Sequence, residues 1–408
     1  MAGPLIPVEE AQARLLAAAR PIEICETLPI WDADQRVLAE PVISRLTQPP
    51  FDASAMDGYA FRRGDVSEIG DTLTVIGESA AGRSFAGMVG AGQVVRIFTG
   101  APVPKGADTV LLQEDAIRRD DGRIELTFLP DLGRHIRPRG QDFAEGEVVL
   151  AEGLLLDPGR LMLAAASNHA DVSVYKRPLV GVIATGDELR EPGSELGPDQ
   201  IVASSVFAIA ALARRAGADV ETFGIVADDP KAITAAVERA KARGVDVIVT
   251  LGGASVGDHD LVQSTLIDLG MRLDFWRIAM RPGKPLMVGA LGEIQVLGLP
   301  GNPVSSMVCG LLFLEPLLAK LARRSPPDRL ATAITDTDLA ANDHRQDYLR
   351  ARLHHSDDGR LVVRSYGKQD SSQMKIFANS EALIIRAPNA PALAAGSLCP
   401  ILMLRAGD

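Results

Sequence analysis

The strongest constraint on the fold is a change of pattern at Lys176-Arg177-Pro178. Leu179 to Ala184 is a nearly uninterrupted apolar run, the signature of a strand buried on both faces of a parallel sheet. From there strand-like and helix-like segments alternate: a helix over Ser204 to Ala216, a strand over Val220 to Val226, a helix over Pro230 to Ala242, a strand over Val247 to Leu251 and a helix over Leu261 to Leu269. Strand-like runs at Leu273 to Ile278, Leu286 to Val288 and Ile294 to Leu299 precede a long helix from Pro303, with Asn302 at its N-cap. Such alternation predicts a three-layer α/β domain of roughly 150 residues.

The flanking segments follow other rules. Pro7 opens a helix whose stripe of Val8, Ala11, Leu15 and Leu16 docks it on a larger surface, with Glu9 and Glu10 in the first turn. Between Ala39 and Leu156 the runs are short, as at Leu73 to Ile76, Val94 to Phe98, Thr109 to Leu112 and Ile124 to Phe128, and Gly, Pro and Asp separate them, so this block is mainly β. A helical run over Asp157 to His169 closes it. Past Pro326 the alternation stops; Ala351 to His354 and Leu361 to Val363 flank a turn at Asp357-Asp358-Gly359 and begin a small β-domain. A chain of 408 residues exceeds what one core supports, which agrees with several domains.

Composition narrows the function. Acidic residues exceed basic ones by 53 to 42, and the net charge of −11 argues against broad binding to nucleic acid or to an anionic membrane. An anionic ligand must therefore be met by local cations. Cys25, Cys309 and Cys399 lie far apart among apolar neighbours, which predicts buried thiols rather than a zinc site or a disulfide framework. The N-terminus lacks the basic and apolar regions of a signal peptide, and no stretch of about 18 apolar residues stands out. A cytoplasmic setting, with no membrane partner, is the expectation.

The chemistry gathers where an open α/β sheet binds ligands, at the C-terminal ends of its strands. Thr185-Gly186-Asp187-Glu188 follows the first strand, Asp228-Asp229-Pro230 the second, and the glycine-rich run Gly252 to Asp260 the third. Gly252, Gly253 and Gly257 allow close backbone approach to a phosphate, and Ser255 adds a hydroxyl. Carboxylates beside a phosphate repel it unless a cation bridges them, which points to a hard metal such as Mg²⁺. For Asp228-Asp229 a plain helix cap competes with that role. Arg277, Arg281 and Lys284 form a proline-stiffened basic loop, and Pro300 to Ser305 leads into a helix N-terminus. The β-rich block adds Asp57, Thr99, Arg137 and Asp142. No Ser-His-Asp order, HExxH pattern or Walker loop is present, so hydrolytic triads, zinc proteases and P-loop phosphoryl transfer are set aside.

Taken together and in order, FDASAMDGYA, FTGAPVP, IRPRGQD, TGDEL, GGASVGDHD, MRPGKP and LPGNPVS resemble the molybdopterin molybdenumtransferase family, whose eukaryotic counterpart is the gephyrin E domain. The likeness spans almost the whole chain. It implies an elongated N-terminal helical part (residues 1–45 with 146–177), an inserted β-domain (46–145), an α/β pterin-binding domain (178–326) and a C-terminal β-barrel (327–408). It also implies a homodimer with the active cleft between two protomers, and a reaction that takes adenylylated molybdopterin and molybdate, inserts molybdenum at the pterin dithiolene and releases AMP. Carried over by motif, Asp57, Thr99, Asp142, Glu188, Asp228 and Asp260 form the catalytic set, with Glu188, Asp228 and Asp260 linked to Mg²⁺. Gly252, Gly253, Ser255, Gly257, Lys284, Pro300, Ser305 and Ser371 become binders of the pterin nucleotide, and Arg137, Arg277 and Arg281 anion contacts. An upstream pterin-adenylylating protein is an implied partner.

The chain departs from the family's pattern at several places. Arg277 and Arg281 stand where lysine is usual, exchanging a point charge for a planar fork. Ala53 replaces an asparagine, Ala203-Ser204-Ser205 stands for Asp-Ser-Asn, and Asp370-Ser371-Ser372-Gln373 replaces a Gly-Ser-Gly motif. Two rival readings are a gephyrin-like scaffold that binds peptides and a pterin adenylyltransferase. The retained acids oppose the first, and the β-domains on both sides of the α/β domain oppose the second.

Overall fold

The computed structural model describes residues 5–252 and 261–405. The chain forms two compact units, Thr27–Val174 and a larger one built from Met1–Glu26 and Tyr175–Asp408. The larger unit contains a six-stranded sheet in the order Asp219–Val226, Leu179–Thr185, Val247–Leu251, Ile294–Leu299, Pro285–Leu291, Arg272–Arg277. The first four strands are parallel. Pro285–Leu291 runs antiparallel to them, because only Gly292 and Glu293 separate Leu291 from Ile294, a turn far too short for a parallel crossover, and Arg272–Arg277 pairs antiparallel to it in turn. Val247, Val249 and Leu251 enter one apolar layer and Ile248 the other, so this central strand is buried on both faces. Each such valine, leucine or isoleucine contributes about 1.5–3 kcal/mol on leaving water.

The helix Val8–Ala18 packs Val8, Ala11 and Leu15 into that first layer beside Leu317 and Leu318. Gln12 Nε2 donates to the Leu312 carbonyl at 2.8 Å. This helix is thus part of the larger unit. The long helix comprises Pro303–Cys309, a π-turn over Gly310–Leu314, and Glu315–Leu321. By length and composition the run Pro303–Leu321 could cross a membrane, contrary to the expectation that no such stretch exists, but it is mostly buried inside the unit. Its one acid, Glu315, lies in the core and is paired with Arg329 through two bonds of 2.6 and 2.7 Å. Cys309 and Cys399 are buried as expected; Cys25 is exposed, because its short strand alternates outward.

The C-terminal segment closes into a five-stranded barrel through Gln346–His355, Leu361–Ser365, Leu330–Thr335, Leu398–Met403 and Ala382–Arg386, the last pairing back to the first. The strand Met280–Arg281 adds alongside Gln346–His355. Multidomain α/β and β architecture, with a three-layer domain and a terminal barrel, is therefore what the chain adopts.

The smaller unit holds another six-stranded sheet, ordered Thr109–Leu112, Gly58–Phe61, Gln93–Ile97, Thr72–Ser79, Arg123–Leu126, Ala116–Arg118. Tyr59, Phe61, Val94, Leu111 and Ile124 fill one face. The rest of the unit surrounds the helix Pro158–Ala166, which Asp157 caps by accepting from Arg160 N at 2.9 Å.

Candidate active site

In the larger unit a cavity of about 650 Å³ opens at the C-terminal ends of the parallel strands. Thr185, Gly186 and Glu188 follow the first strand into it, Leu251 and Gly252 end the third, and Pro300 to Pro303 follow the fourth. Gly252 has φ +97°, and a Cβ there would lie 2.5 Å from the Thr185 carbonyl oxygen, so only glycine lets these two strand ends converge. Gly253, Ser255, Gly257 and Asp260 lie outside the described residues.

The acids at the second strand end divide their work. Asp229 accepts from Ala232 N at 2.9 Å and caps the helix Pro230–Ala242. That leaves Asp228 to line the cavity together with Glu188. Asp228 N donates to Asp187 Oδ1 at 3.2 Å. Desolvation, then the neighbouring charges of Asp187 and Glu188, push the Asp228 carboxyl above the usual carboxylate range. Among the described residues no group of three or more His, Cys, Asp or Glu converges as a metal-ligand set. A pair such as Glu188 and Asp228 nevertheless suits Mg²⁺, which is commonly held by one or two carboxylates, water and substrate phosphate oxygens.

The opposite wall carries helix starts and a loop from the barrel. Ser204 and Ser205, Asn302 and Pro303 begin helices at the cavity. Asn302 occupies its N-cap position without a side-chain capping bond; the Val304 N–H is instead satisfied by the Ser371 carbonyl at 3.1 Å. Ser372 and Met374 line the cavity, whereas Ser371 contributes that carbonyl. Ser305 is buried in the helix. Arg350 organises the loop: 2% exposed, it donates to the Asp370 carbonyl at 2.8 Å, to Gln369 Oε1 at 3.1 Å and to the Lys368 carbonyl at 3.4 Å. Sequence reasoning missed Arg350, although a charge between Leu349 and Ala351 in an apolar strand was a usable signal.

The basic loop separates into three different environments. Arg281 is held by Asp347, with Nε to Oδ1 at 2.7 Å and a second, shorter bond from Nη2, and has Asp343 at 3.5 Å. Its charge is therefore matched by these two carboxylates. Arg277 stacks over Trp276 at 4.1 Å. Its buried Nε has no hydrogen-bond partner. Lys284 is half-buried immediately before Pro285, which lines the cavity.

In the smaller unit, Asp57 accepts from both the backbone N–H and the hydroxyl of Thr99, each at 2.8 Å. These bonds, backbone first, and the nearby Arg96 hold the Asp57 carboxyl below its ordinary range. The segment carrying Arg137 pairs with the one carrying Ala53, residue to residue. Arg139 N adds a bond to Asp52 Oδ1 at 2.8 Å, so the first and third motifs form one surface. Ala53 is buried in that ladder, and Arg137 and Asp142 are exposed beside it.

Three family descriptions match successive parts of the chain: the MoeA N-terminal region (domain I and II) over residues 6–167, a probable molybdopterin binding domain over 181–320, and the MoeA C-terminal region (domain IV) over 332–404. A molybdopterin molybdenumtransferase of Haemophilus influenzae is 35% identical over 385 residues, covering 93% of this chain and 94% of its own. One from Bacillus subtilis is 32% identical over 408 residues, with 98% and 94% covered. A molybdopterin biosynthesis MoeA protein from Pyrococcus horikoshii OT3 superposes with a TM-score of 0.81 at 28% identity, covering 98% of this chain and all of that one.

Proposed function

The chain belongs to the molybdopterin molybdenumtransferase family, and from that premise we propose that it is the enzyme that takes adenylylated molybdopterin and molybdate, places molybdenum on the pterin dithiolene and releases AMP. The observation that carries this reading is the 650 Å³ cavity with Glu188 and Asp228 on one wall and the Ser204 and Asn302 helix starts on another. A phosphate-bearing pterin needs donors at its anionic end and acids that hold a bridging cation. Glu188 and Asp228, with Asp260, would hold Mg²⁺, which supplies charge neutralisation for the phosphates and molybdate. Gly252, Pro300 and Lys284 then belong to the pterin-nucleotide contacts, and Thr99 keeps Asp57 ionised and oriented.

In this reading the protein is a cytoplasmic homodimer in which each active cleft draws on both copies, and it receives its substrate from a pterin-adenylylating partner. The test is AMP release by purified protein given adenylylated molybdopterin, Mg²⁺ and molybdate. Asp57→Ala and Glu188→Ala are expected to abolish release while leaving the oligomer intact by light scattering, and mixing the two variants restores release. No AMP from the wild-type protein would point to a scaffold instead.

A further inference from the structure

The smaller unit has a second cavity, in which Arg96 is the one residue that also bears on Asp57. It measures about 510 Å³, and its lining includes Arg96, Arg118, Arg119, Arg123, Tyr59 and the single acid Glu78. In a chain of net charge −11, four guanidiniums around one hollow need a reason. Arg119 pairs with Glu125, Arg123 with Asp121 at 2.7 Å, and Glu78 turns to Arg83 at 2.9 Å. Two of the four lining guanidiniums are thus paired; of the other two, Arg96 has the charges of Asp57 and Glu114 nearby, and among the described residues Arg118 has no carboxylate partner.

Both residues are positioned by neutral partners. Arg118 Nε donates to the Tyr59 hydroxyl at 2.6 Å, and its guanidinium carbon lies 5.9 Å from that ring. Arg96 sits 5.0 Å from the Tyr59 ring and 4.9 Å from the Phe98 ring, and donates to the Gly58 carbonyl at 3.1 Å and to Gln113 Oε1. Among the described residues neither forms a salt bridge. Tyr59 itself is 2% exposed, so the platform that fixes both cations is rigid. Planar forks fixed in direction by aromatic rings and held in no salt bridge suit bidentate recognition of an oxyanion.

We propose that this cavity binds a dianionic oxyanion, free or as the terminal group of a phosphate ester, on Arg96 and Arg118. It is independent of the reading of the α/β cavity, since its test is binding rather than turnover.

Calorimetric titration of the full-length protein with inorganic phosphate, molybdate and AMP, each alone, tests it. One saturable site at or below ~1 mM is expected for at least one of the three, and because molybdate and AMP also belong to the α/β cavity, the component assigned here is the one that persists in Gly301→Trp. Arg118→Gln, which removes the charge at an exposed position, should weaken binding about ten-fold or more. Tyr59→Phe keeps the ring but frees Arg118, and should weaken it several-fold. Gly301→Trp, at a position where a Cβ would meet only Gly252 Cα at 3.8 Å, fills the other cavity and should leave this binding unchanged. Tighter binding of AMP than of phosphate identifies an ester, and the reverse a free oxyanion. Binding lost in Gly301→Trp but kept in Arg118→Gln, or no saturation in wild type by ~10 mM, overturns the proposal.

Discussion

Gly252→Ala isolates the geometry on which the α/β cavity depends. With φ at +97°, the alanine occupies a backbone region that costs on the order of 1–3 kcal/mol. Its Cβ would also stand 2.5 Å from the Thr185 carbonyl oxygen, about 0.9 Å short of the 3.4 Å at which ordinary contact begins. The atom met is the backbone carbonyl of the buried Thr185, which cannot swing aside as a flexible side chain would, so one strand end must move by most of that distance. A displacement approaching 1 Å at a reacting centre costs on the order of 10²-fold in rate. Gly292→Ala is the matched control: its φ is +64° and no atom lies within 4 Å of the added Cβ. It sits in the hairpin at the sheet's opposite end, so it carries strain of about 1–2 kcal/mol without displacing the cavity. Urea unfolding followed by Trp276 fluorescence reports the strain, since Trp276 lies in the edge strand of this sheet while Trp31 is 92% exposed already. AMP release then measures the displacement. Comparable destabilisation with kcat/KM lowered about 10²-fold only in Gly252→Ala is the expected pattern. Equal activity in the two variants would refute the argument that close approach of these strand ends shapes the site.

Three further outcomes follow from the site's electrostatics and packing. Because desolvation and the neighbouring acids raise the Asp228 pKa in the folded protein, the protonated acid is favoured by folding, and stability falls as pH climbs from the ordinary carboxylate range through the raised value; Asp228→Asn should flatten that part of a Tm-versus-pH curve, and an unchanged slope would count against the raised pKa. Thr99→Val removes one of the two bonds from Thr99 that depress Asp57, so the acid limb of the pH–rate profile should move to higher pH, and a stationary limb would exclude Asp57 as the group it reports. Arg350→Ala leaves the Asp370 and Lys368 carbonyls without their guanidinium donor and Gln369 Oε1 with only the backbone N–H of residue 350, and should cost about 1–3 kcal/mol. Amide exchange over residues 366–373 should accelerate and KM should rise more than kcat falls; unaltered exchange would remove Arg350 as the loop's organiser.

Periodicity made the elements legible where one physical requirement dominated. The helix Pro230–Ala242 and the strands Val247–Leu251 and Thr109–Leu112 have the boundaries their residues predict, because a proline start or a fully buried run leaves no competing choice. The acids Asp57, Glu188 and Asp228 stand out in the sequence as carboxylates at strand ends or in stiff loops, and the resemblance supplies the roles expected of them. Asp229 shows the limit of that reasoning. Two adjacent aspartates before a proline are chemically equivalent in sequence, and only the backbone at Asp229, with φ −132° and ψ 128°, selects it as the cap.

The sequence by itself therefore determined the alternation that builds the α/β sheet, the β-character of the flanking domains, and the residue types available to meet an anion. Tertiary structure decided which of those residues are free to do so. Arg281 and Lys284 share one loop, yet Arg281 is matched by Asp347, a residue 66 positions away. Ser371 and Ser372 are neighbours, yet one satisfies a helix N–H and the other lines the cavity. Arg118 is one of three arginines between positions 118 and 123, yet it is the one fixed by the hydroxyl of Tyr59, 59 residues earlier. The reason is common to all three: local sequence sets backbone preference and burial, whereas the partner that neutralises a charge or fills a hydrogen bond arrives from elsewhere in the chain and exists only after the strands have come together.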